Sequence, residues 1–416
     1  MVFSSIIFLC IFLPVMITGY YILPKKLRNL WLLLGSLFFY AWGEPRYIFL
    51  MLVSIAGNYL LGMLIHTLAV RDEMRGLKKP GSLKKFTLFI TIVFNLSLLV
   101  YFKYFMLIMQ TIHDLINNTV IVPDIALPIG ISFFTFQGMS YVIDVYRDDY
   151  RLNADGGRNE LVQKNPVDLA LYISMFPQLI AGPIVRYHDI KDSLKDRTVN
   201  SSTFSKGIER FAVGLAKKAV LANSIGEAAD KIFTADVASL GSVNAWIGAI
   251  CYTLQIYYDF SGYSDMAIGL GRIFGFDFME NFNYPYISRS VSEFWRRWHI
   301  SLSTWFRDYL YIPLGGNRRG NVYLNLLIVF LATGIWHGAA WGFLVWGLWH
   351  GLFMLIERRF RGKEPALRIP GFAKWIYTML VVMLGWVLFK LEDIAAALDY
   401  IGMMFHMKAY DYVAFS

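Results

Sequence analysis

Apolar runs long enough to cross a bilayer recur along this chain, and that repetition constrains the fold more than any single motif. A helix needs about 20 mostly apolar residues to span the hydrocarbon layer, where every backbone polar group must find its partner inside the protein. Candidate spans fall at residues 2–23, 30–42, 47–66, 86–108, 125–143, 167–185, 208–225, 243–260, 322–356 and 371–390, of which 30–42 is short and 208–225 amphipathic. They are spread over the 416 residues with no long hydrophilic stretch between them. The expected fold is an all-α polytopic membrane protein forming a single domain over residues 1–416. Composition agrees, since 56% hydrophobic and 17% charged residues lie outside the usual range of soluble globular chains.

Charge placement gives an orientation. The net charge of +9 is read as cytoplasmic loops facing anionic lipid rather than as a nucleic-acid surface. The amino terminus, MVFSSIIFLCIFLPV, has no positive residues before its apolar run, whereas Lys25, Lys26 and Arg28 follow it. That order predicts a retained first span with its amino terminus outside, not a cleaved signal peptide. Arg71, Arg75, Lys78, Lys79, Lys84 and Lys85 place the loop after the third span in the cytoplasm, and the loop 111–124, which lacks Lys and Arg, outside. Cys10 and Cys251 sit in apolar runs and form no ligand cluster, so neither disulfide nor metal chemistry is expected.

Residues 322–356 make the most informative run. As one helix it would be about 52 Å long, well beyond a core of roughly 30 Å, so it must tilt steeply or break. Arg318 and Arg319 precede it and Arg358, Arg359 and Arg361 follow it, so both ends are expected in the cytoplasm with a break near Gly338 to Gly342. The tripeptide Trp-His-Gly occurs twice here, at His337 and His350. An ionisable side chain inside a membrane is a functional candidate by default. His337 lies beside Gly334, Gly338 and Gly342, a row of small residues that lets a backbone or a substrate approach, and is assigned a functional role. His350 is assigned a structural one.

Residues 290–310, SVSEFWRRWHISLSTWFRDYL, combine a capping pair, Ser290 with Glu293, and Trp295, Trp298, Leu302, Trp305 and Tyr309 at helical spacing. The pattern predicts an amphipathic helix on the membrane surface with His299 beside Arg296, Ser303 and Arg307 on its polar face. Periodicity leaves open whether that face holds an anion or only meets solvent and head groups. The loop IPLGGNRRG (312–320) could hold phosphates through backbone N–H groups and its arginines. Asp259 and Asp265 are costly near an apolar segment and are expected to face a cavity or a partner, either a histidine or arginine of the site or a purely structural network. Asn281 and Asn283, in NFNYPY, read as turn residues, and LPIGISFFTFQG (127–138) as a helix that turns back inside protein. GLGRIFG (269–275) has the wrong spacing for a dinucleotide site, and no serine-hydrolase, zinc-protease or nucleotide loop motif occurs.

Together, MVFSSIIFLCIFLP, DFSGYSDMAIGLGRIFGF, NFNYPY, EFWRRWHISLSTWFRDYLYIPLGGNRRG and GIWHGAAWGFLVWGLWHG resemble the membrane-bound O-acyltransferase family, in its bacterial alginate O-acetylation branch. The resemblance covers nearly the whole chain, with a motif core at about 255–351. It implies a ring of about ten transmembrane helices, with re-entrant and interfacial helices, around a thinned central cavity. The two family histidines correspond to His299, in RRWHISLS, and His337, in GIWHGA; His350 is not one of them. Members of this branch usually continue for further transmembrane sequence beyond a region like residues 385–405, whereas this chain stops at Ser416.

The implied reaction passes an acyl group, acetyl first among candidates, from a cytoplasmic thioester such as acetyl-coenzyme A to an extracytoplasmic polysaccharide. It needs no permanently bound cofactor and no metal, only a base and donors to the developing oxyanion. On this reading His337 is the base and His299 orients or polarises a substrate. Arg296, Arg318 and Arg319 are candidates for the donor's phosphates, and Asp259 and Asp265 for support. The resemblance also implies the bacterial inner membrane and an extracytoplasmic partner transferase of the SGNH-hydrolase type, with direct and relayed transfer both open. Competing readings are a D-alanyl-type transferase using a carrier-protein thioester, a transporter of a lipid-linked or anionic solute, and a catalytically silent assembly subunit.

Overall fold

The structure is a computed structural model. It describes all residues except 1, 78, 117–121, 124, 149–160, 181, 237–239, 361–368 and 407–416. Lys78 of the basic loop, part of the loop 111–124, and Arg361 therefore lie outside the described residues. Among those described, all regular structure is helical, and the chain divides into two compact units.

The first unit comprises residues 1–212 and 265–279. A π-helical turn, Phe8–Phe12, leads into α1 (Leu13–Ile22), followed by α2 (Lys25–Gly43), α3 (Ile48–Met74), α4 (Ser82–Leu99), a second π turn and α5 (Phe105–Leu115). Helices α3 and the continuous run 82–115 are long and apolar enough to cross a membrane, and α1 is a shorter apolar helix. Next come α6 (Ile131–Arg147), α7 (Pro166–Ser174), a single turn α8 (Phe176–Leu179), α9 (Tyr187–Lys195) and the part of α10 (Ser201–Ala216) up to Ala212. Gly130, at φ +77, starts α6, and its residues from Phe134 to Val145 are buried, Thr135, Gln137 and Ser140 among them. A helix buried all round belongs inside protein, as LPIGISFFTFQG suggested. The expected span 167–185 is not one helix: the chain bends at Met175, where Pro177 follows within the next turn. An aromatic cluster of Phe3, Phe8, Phe12, Phe39 and Phe176 forms the core.

The second unit comprises residues 213–264 and 280–416. It holds α11 (Asn223–Phe233), the part of α12 (Ser242–Ile273) up to Ser264, α13 (Val291–Arg297), α14 (Ile300–Phe306), α15 (Val322–His337), α16 (Trp341–Phe360), α17 (Gly371–Lys390) and α18 (Ile394–Phe405). Of these α17 is long and apolar enough to span, and α15 and α18 are shorter apolar helices. The 322–356 run breaks after His337, as expected from its length and flanking arginines, and is not one tilted helix. Helices α15 and α16 then pack with their backbones close: a Cβ on Gly334 would collide with the Phe343 carbonyl, and one on Gly347 with the Phe330 carbonyl. Of the row of small residues, Gly334 therefore serves this helix packing, whereas a Cβ on Gly338 would collide with the Phe343 ring and one on Gly342 with the Glu392 carbonyl. The core is built from tryptophans, with Trp295, Trp298, Trp346 and Trp386 all buried; truncating such a side chain costs on the order of 3–5 kcal/mol.

Candidate active site

The segment 290–310 is not a surface helix. Trp295, Trp298, Leu302, Trp305 and Tyr309 are all buried in protein, and the helix is broken in the middle. Its start keeps half of the expected capping box: Ser290 Oγ accepts from Glu293 N at 3.0 Å, while Glu293 Oε2 accepts from Arg289 N, one residue before the cap, at 2.9 Å. The Glu357 carboxylate on α16 also accepts the N–H groups of Val291 and Ser292, placing negative charge at the α13 amino terminus. The helix then stops at Trp298, and His299 adopts the left-handed conformation, φ 46 and ψ 54, before α14 restarts. For a non-glycine residue that costs about 1–2 kcal/mol and calls for something that enforces it.

The enforcing partner is the NFNYPY stretch. Asn283 N donates to Arg297 O at 2.9 Å and Ile300 N donates to Asn281 O at 3.0 Å, clasping the break from both sides. The Asn281 side chain completes the clasp. Its Oδ1 lies 3.1 Å from Ser301 N, 2.9 Å from Ser301 Oγ and 3.1 Å from His299 Nδ1, and its Nδ2 donates to Ser264 Oγ at 3.1 Å. Asn281 is fully buried and His299 is 1% exposed. The imidazole is thus turned away from the face that Arg296, Ser303 and Arg307 were expected to share with it: Ser303 Oγ donates to Trp295 O and Arg307 pairs with Asp308. Phe260 packs edge-on against the His299 ring at 4.7 Å. Among the described residues, His299 Nε2 is buried and has no hydrogen-bond partner. Burial pushes the His299 imidazolium down to about 3, so the ring is neutral.

His337 ends α15 at the break. Its ring lies 4.9 Å from Trp336, 4.9 Å from Trp346 and 5.2 Å from Phe389, and it keeps partial exposure. Trp336 also contacts His299, at 5.9 Å between ring centres. One indole therefore touches both predicted site histidines. Trp346 in turn contacts His350 at 5.2 Å, which is fully buried in the middle of α16.

The remaining candidates are less concentrated. Asp259 pairs with Lys218 at 2.5 Å in the second unit. Asp265 belongs to the first unit, where Arg210 holds it at 2.6 Å and 2.8 Å. Arg296 is exposed on α13, and Arg318 and Arg319 are exposed in a turn whose Gly315, Gly316 and Gly320 have positive φ. A cavity of about 390 Å³ in the first unit is lined by Lys25, Arg28, Arg197 and neighbours and includes none of these candidates.

Residues 63–391 match the model of the membrane-bound O-acyltransferase family, a range that includes both histidines. The chain belongs to the membrane-bound O-acyltransferase family. A probable alginate O-acetylase of Azotobacter vinelandii is 43% identical over 97% of this chain and 78% of its own length. A peptidoglycan O-acetyltransferase of Helicobacter pylori is 36% identical over 96% of this chain and 78% of its own length. A teichoic acid D-alanyltransferase of Bacillus subtilis is 31% identical over 54% of this chain and 58% of its own length. The protein is an O-acyltransferase, which decides between the enzyme and transporter readings. The residue that sequence reasoning passed over in this O-acyltransferase is Asn281, read as part of a turn. Its position in NFNYPY was visible, but its contact with His299 was not.

Proposed function

We propose that this O-acyltransferase carries an acetyl group from cytoplasmic acetyl-coenzyme A across the bacterial inner membrane to hydroxyl groups of an extracytoplasmic polysaccharide such as alginate or peptidoglycan. The names of the relatives aligned over nearly the whole chain support the group and acceptor. The observation that carries the chemistry is the buried, neutral His299 with an unpartnered Nε2, sharing Trp336 with His337. This geometry favours His299 for the base role that sequence reading gave to His337.

The hydroxyl proton of the acceptor passes to His299 Nε2 as its oxygen attacks the thioester carbonyl carbon. The tetrahedral oxyanion collapses, the C–S bond breaks, and the departing thiolate takes the proton from His299 Nε2, which returns the ring to its neutral form. His337 donates to the developing oxyanion, which is worth about 3–4 kcal/mol for a well-placed donor. Arg296, Arg318 and Arg319, all exposed, meet the phosphates of the donor. Asp259 and Asp265 act through their ion pairs rather than on the substrate. In this reading about ten helices surround the site in a thinned ring, the amino terminus is outside, residues 71–85 are cytoplasmic and 111–124 external. The acceptor hydroxyl belongs either to the polymer or to a serine of an SGNH-hydrolase-type partner.

Sealed inside-out vesicles with alginate trapped inside test the reading. They should release free coenzyme A from added acetyl-coenzyme A, and right-side-out vesicles should do so only when loaded with donor. Equal use of external donor by right-side-out vesicles overturns the cross-membrane direction. Turnover only with an acylated carrier protein would move the donor to the D-alanyl type.

A further inference from the structure

The orientation of the Asn281 amide follows from its neighbours. A backbone N–H can only donate, so the Asn281 atom 3.1 Å from Ser301 N must be the carbonyl oxygen. The same oxygen lies 3.1 Å from His299 Nδ1. Two acceptors cannot share a hydrogen bond, so the ring proton sits on Nδ1 and the lone pair on Nε2. Ser301 Oγ, 2.9 Å from that oxygen, is its third donor, and Ser264 Oγ accepts from the Asn281 Nδ2 at 3.1 Å, locking the amide against a flip.

We propose that Asn281 is a positioning residue, which fixes His299 in the Nδ1–H tautomer and so presents Nε2 as the proton acceptor. Its role is the one a carboxylate or amide plays behind the histidine of a hydrolytic triad: the wrong tautomer leaves the geometry intact and removes the base. Among the described residues, the groups packed on His299 from the other elements are Phe260 and Trp336, and from its own segment Ser301. None is charged, so the amide is the group that sets the proton's place. The same contact explains why His299 tolerates a left-handed backbone, since Asn281 holds both the ring and the N–H of Ile300.

The inference rests on the acyl-transfer reading for its consequence but not for its measurement. Solid-state ¹⁵N NMR of the full chain, labelled at histidine and with His299 assigned by difference from His299→Gln, should show Nδ1 protonated and Nε2 bare. In Asn281→Ala the two tautomers should mix, and coenzyme A release should fall about 100-fold. Asn281→Asp keeps an acceptor for Nδ1–H and for both Ser301 donors. It should retain activity within about 10-fold of the parent, with the acid limb of its pH–rate profile displaced upward because a carboxylate favours the imidazolium. A purely structural asparagine predicts the reverse, that a buried aspartate is as damaging as alanine and leaves the limb in place. An Nε2–H tautomer in the parent protein, or tautomers unmoved in Asn281→Ala, overturns the proposal. Should Asn281→Ala not fold, the parent's tautomer and the Asn281→Asp profile decide alone. If His299→Ala keeps full activity, the acyl-transfer role of His299 fails while the NMR result still judges Asn281.

Discussion

His188 and His299 carry the same side chain, and each has Nδ1 against a side-chain oxygen: Asp144 Oδ2 at 2.8 Å for His188, Asn281 Oδ1 at 3.1 Å for His299. What differs is the charge on that oxygen and the fate of the other nitrogen. His188 Nε2 meets a second carboxylate, Asp189, at 3.2 Å, and its side chain is 39% exposed. Hydrogen bonds that the His188 ring donates to both carboxylates push its pKa up to about 9, against burial. It is a cation throughout the physiological range. His299 is buried, backed by a neutral amide and bare at Nε2. A carboxylate holds a proton on the ring, whereas an amide only decides where the proton sits. Burial leaves the His299 ring neutral, while two carboxylates keep the His188 ring charged.

The largest expected effect tests that contrast directly. His299→Ala should lower coenzyme A release by about 10³-fold, within the range for loss of a general base, and His337→Ala should fall comparably through loss of the oxyanion donor. His188→Ala should leave turnover per folded molecule within about 3-fold. These are to be compared in vesicles at matched protein levels. A His188→Ala variant as inactive as His299→Ala would erase the distinction.

Sequence patterns made much of this legible, and the failures have a common physical origin. The break after His337 followed from length and flanking charge, both local properties. The all-helical fold followed from recurring apolar runs. Residues 290–310 were misread because helical periodicity cannot report a partner elsewhere in the chain. His299 leaves the helix because Asn281, 18 positions earlier, and Asn283 replace the lost helical contacts. Apolar spacing likewise cannot tell a face that meets lipid from one that meets protein, so Trp295 and Trp298 read as a membrane surface when they form a core. Asn281 itself was hidden by composition: asparagine beside proline and tyrosine signals a turn, and this one does make a turn while also holding the ring.

His350 is a third case, with neither ring nitrogen partnered among the described residues. Its ring is enclosed edge-on by Trp295 at 5.1 Å and Trp346 at 5.2 Å, and a Cβ on Gly385 would come within 2.6 Å of its Nε2. With no hydrogen bond to lose, the imidazole acts here as a filler of shape. His350→Phe should therefore change stability by about 1 kcal/mol or less, while His350→Ala opens a cavity and should cost about 3 kcal/mol. Thermal unfolding in detergent, followed by tryptophan fluorescence, measures both. A His350→Phe variant that folds normally yet loses turnover would move His350 from the packing group to the catalytic one.

The smallest effect concerns pH, and its sign follows from the pKa shifts. The folded His188 value of about 9 lies above the ordinary value near 6.5, so the stabilisation is complete below about pH 6.5 and lost as pH rises through 9. For Asp189, burial raises the pKa, but hydrogen bonds from His188 and Arg186 outweigh it and hold the carboxyl at about 2; that contribution is lost only as pH falls through 2. The cluster is thus fully formed between about pH 4 and 6.5. Since His188 is more than a third exposed, solvent screening leaves of order 1 kcal/mol or less, or a few degrees in melting temperature. Melting curves of the parent and His188→Asn at pH 6 and pH 10 isolate it: the parent should be the more stable at pH 6, and the gap should close at pH 10. A gap that stays constant would mean that the carboxylates do not hold a proton on His188, and its contrast with His299 would then lie in burial alone rather than in the charge of the partner.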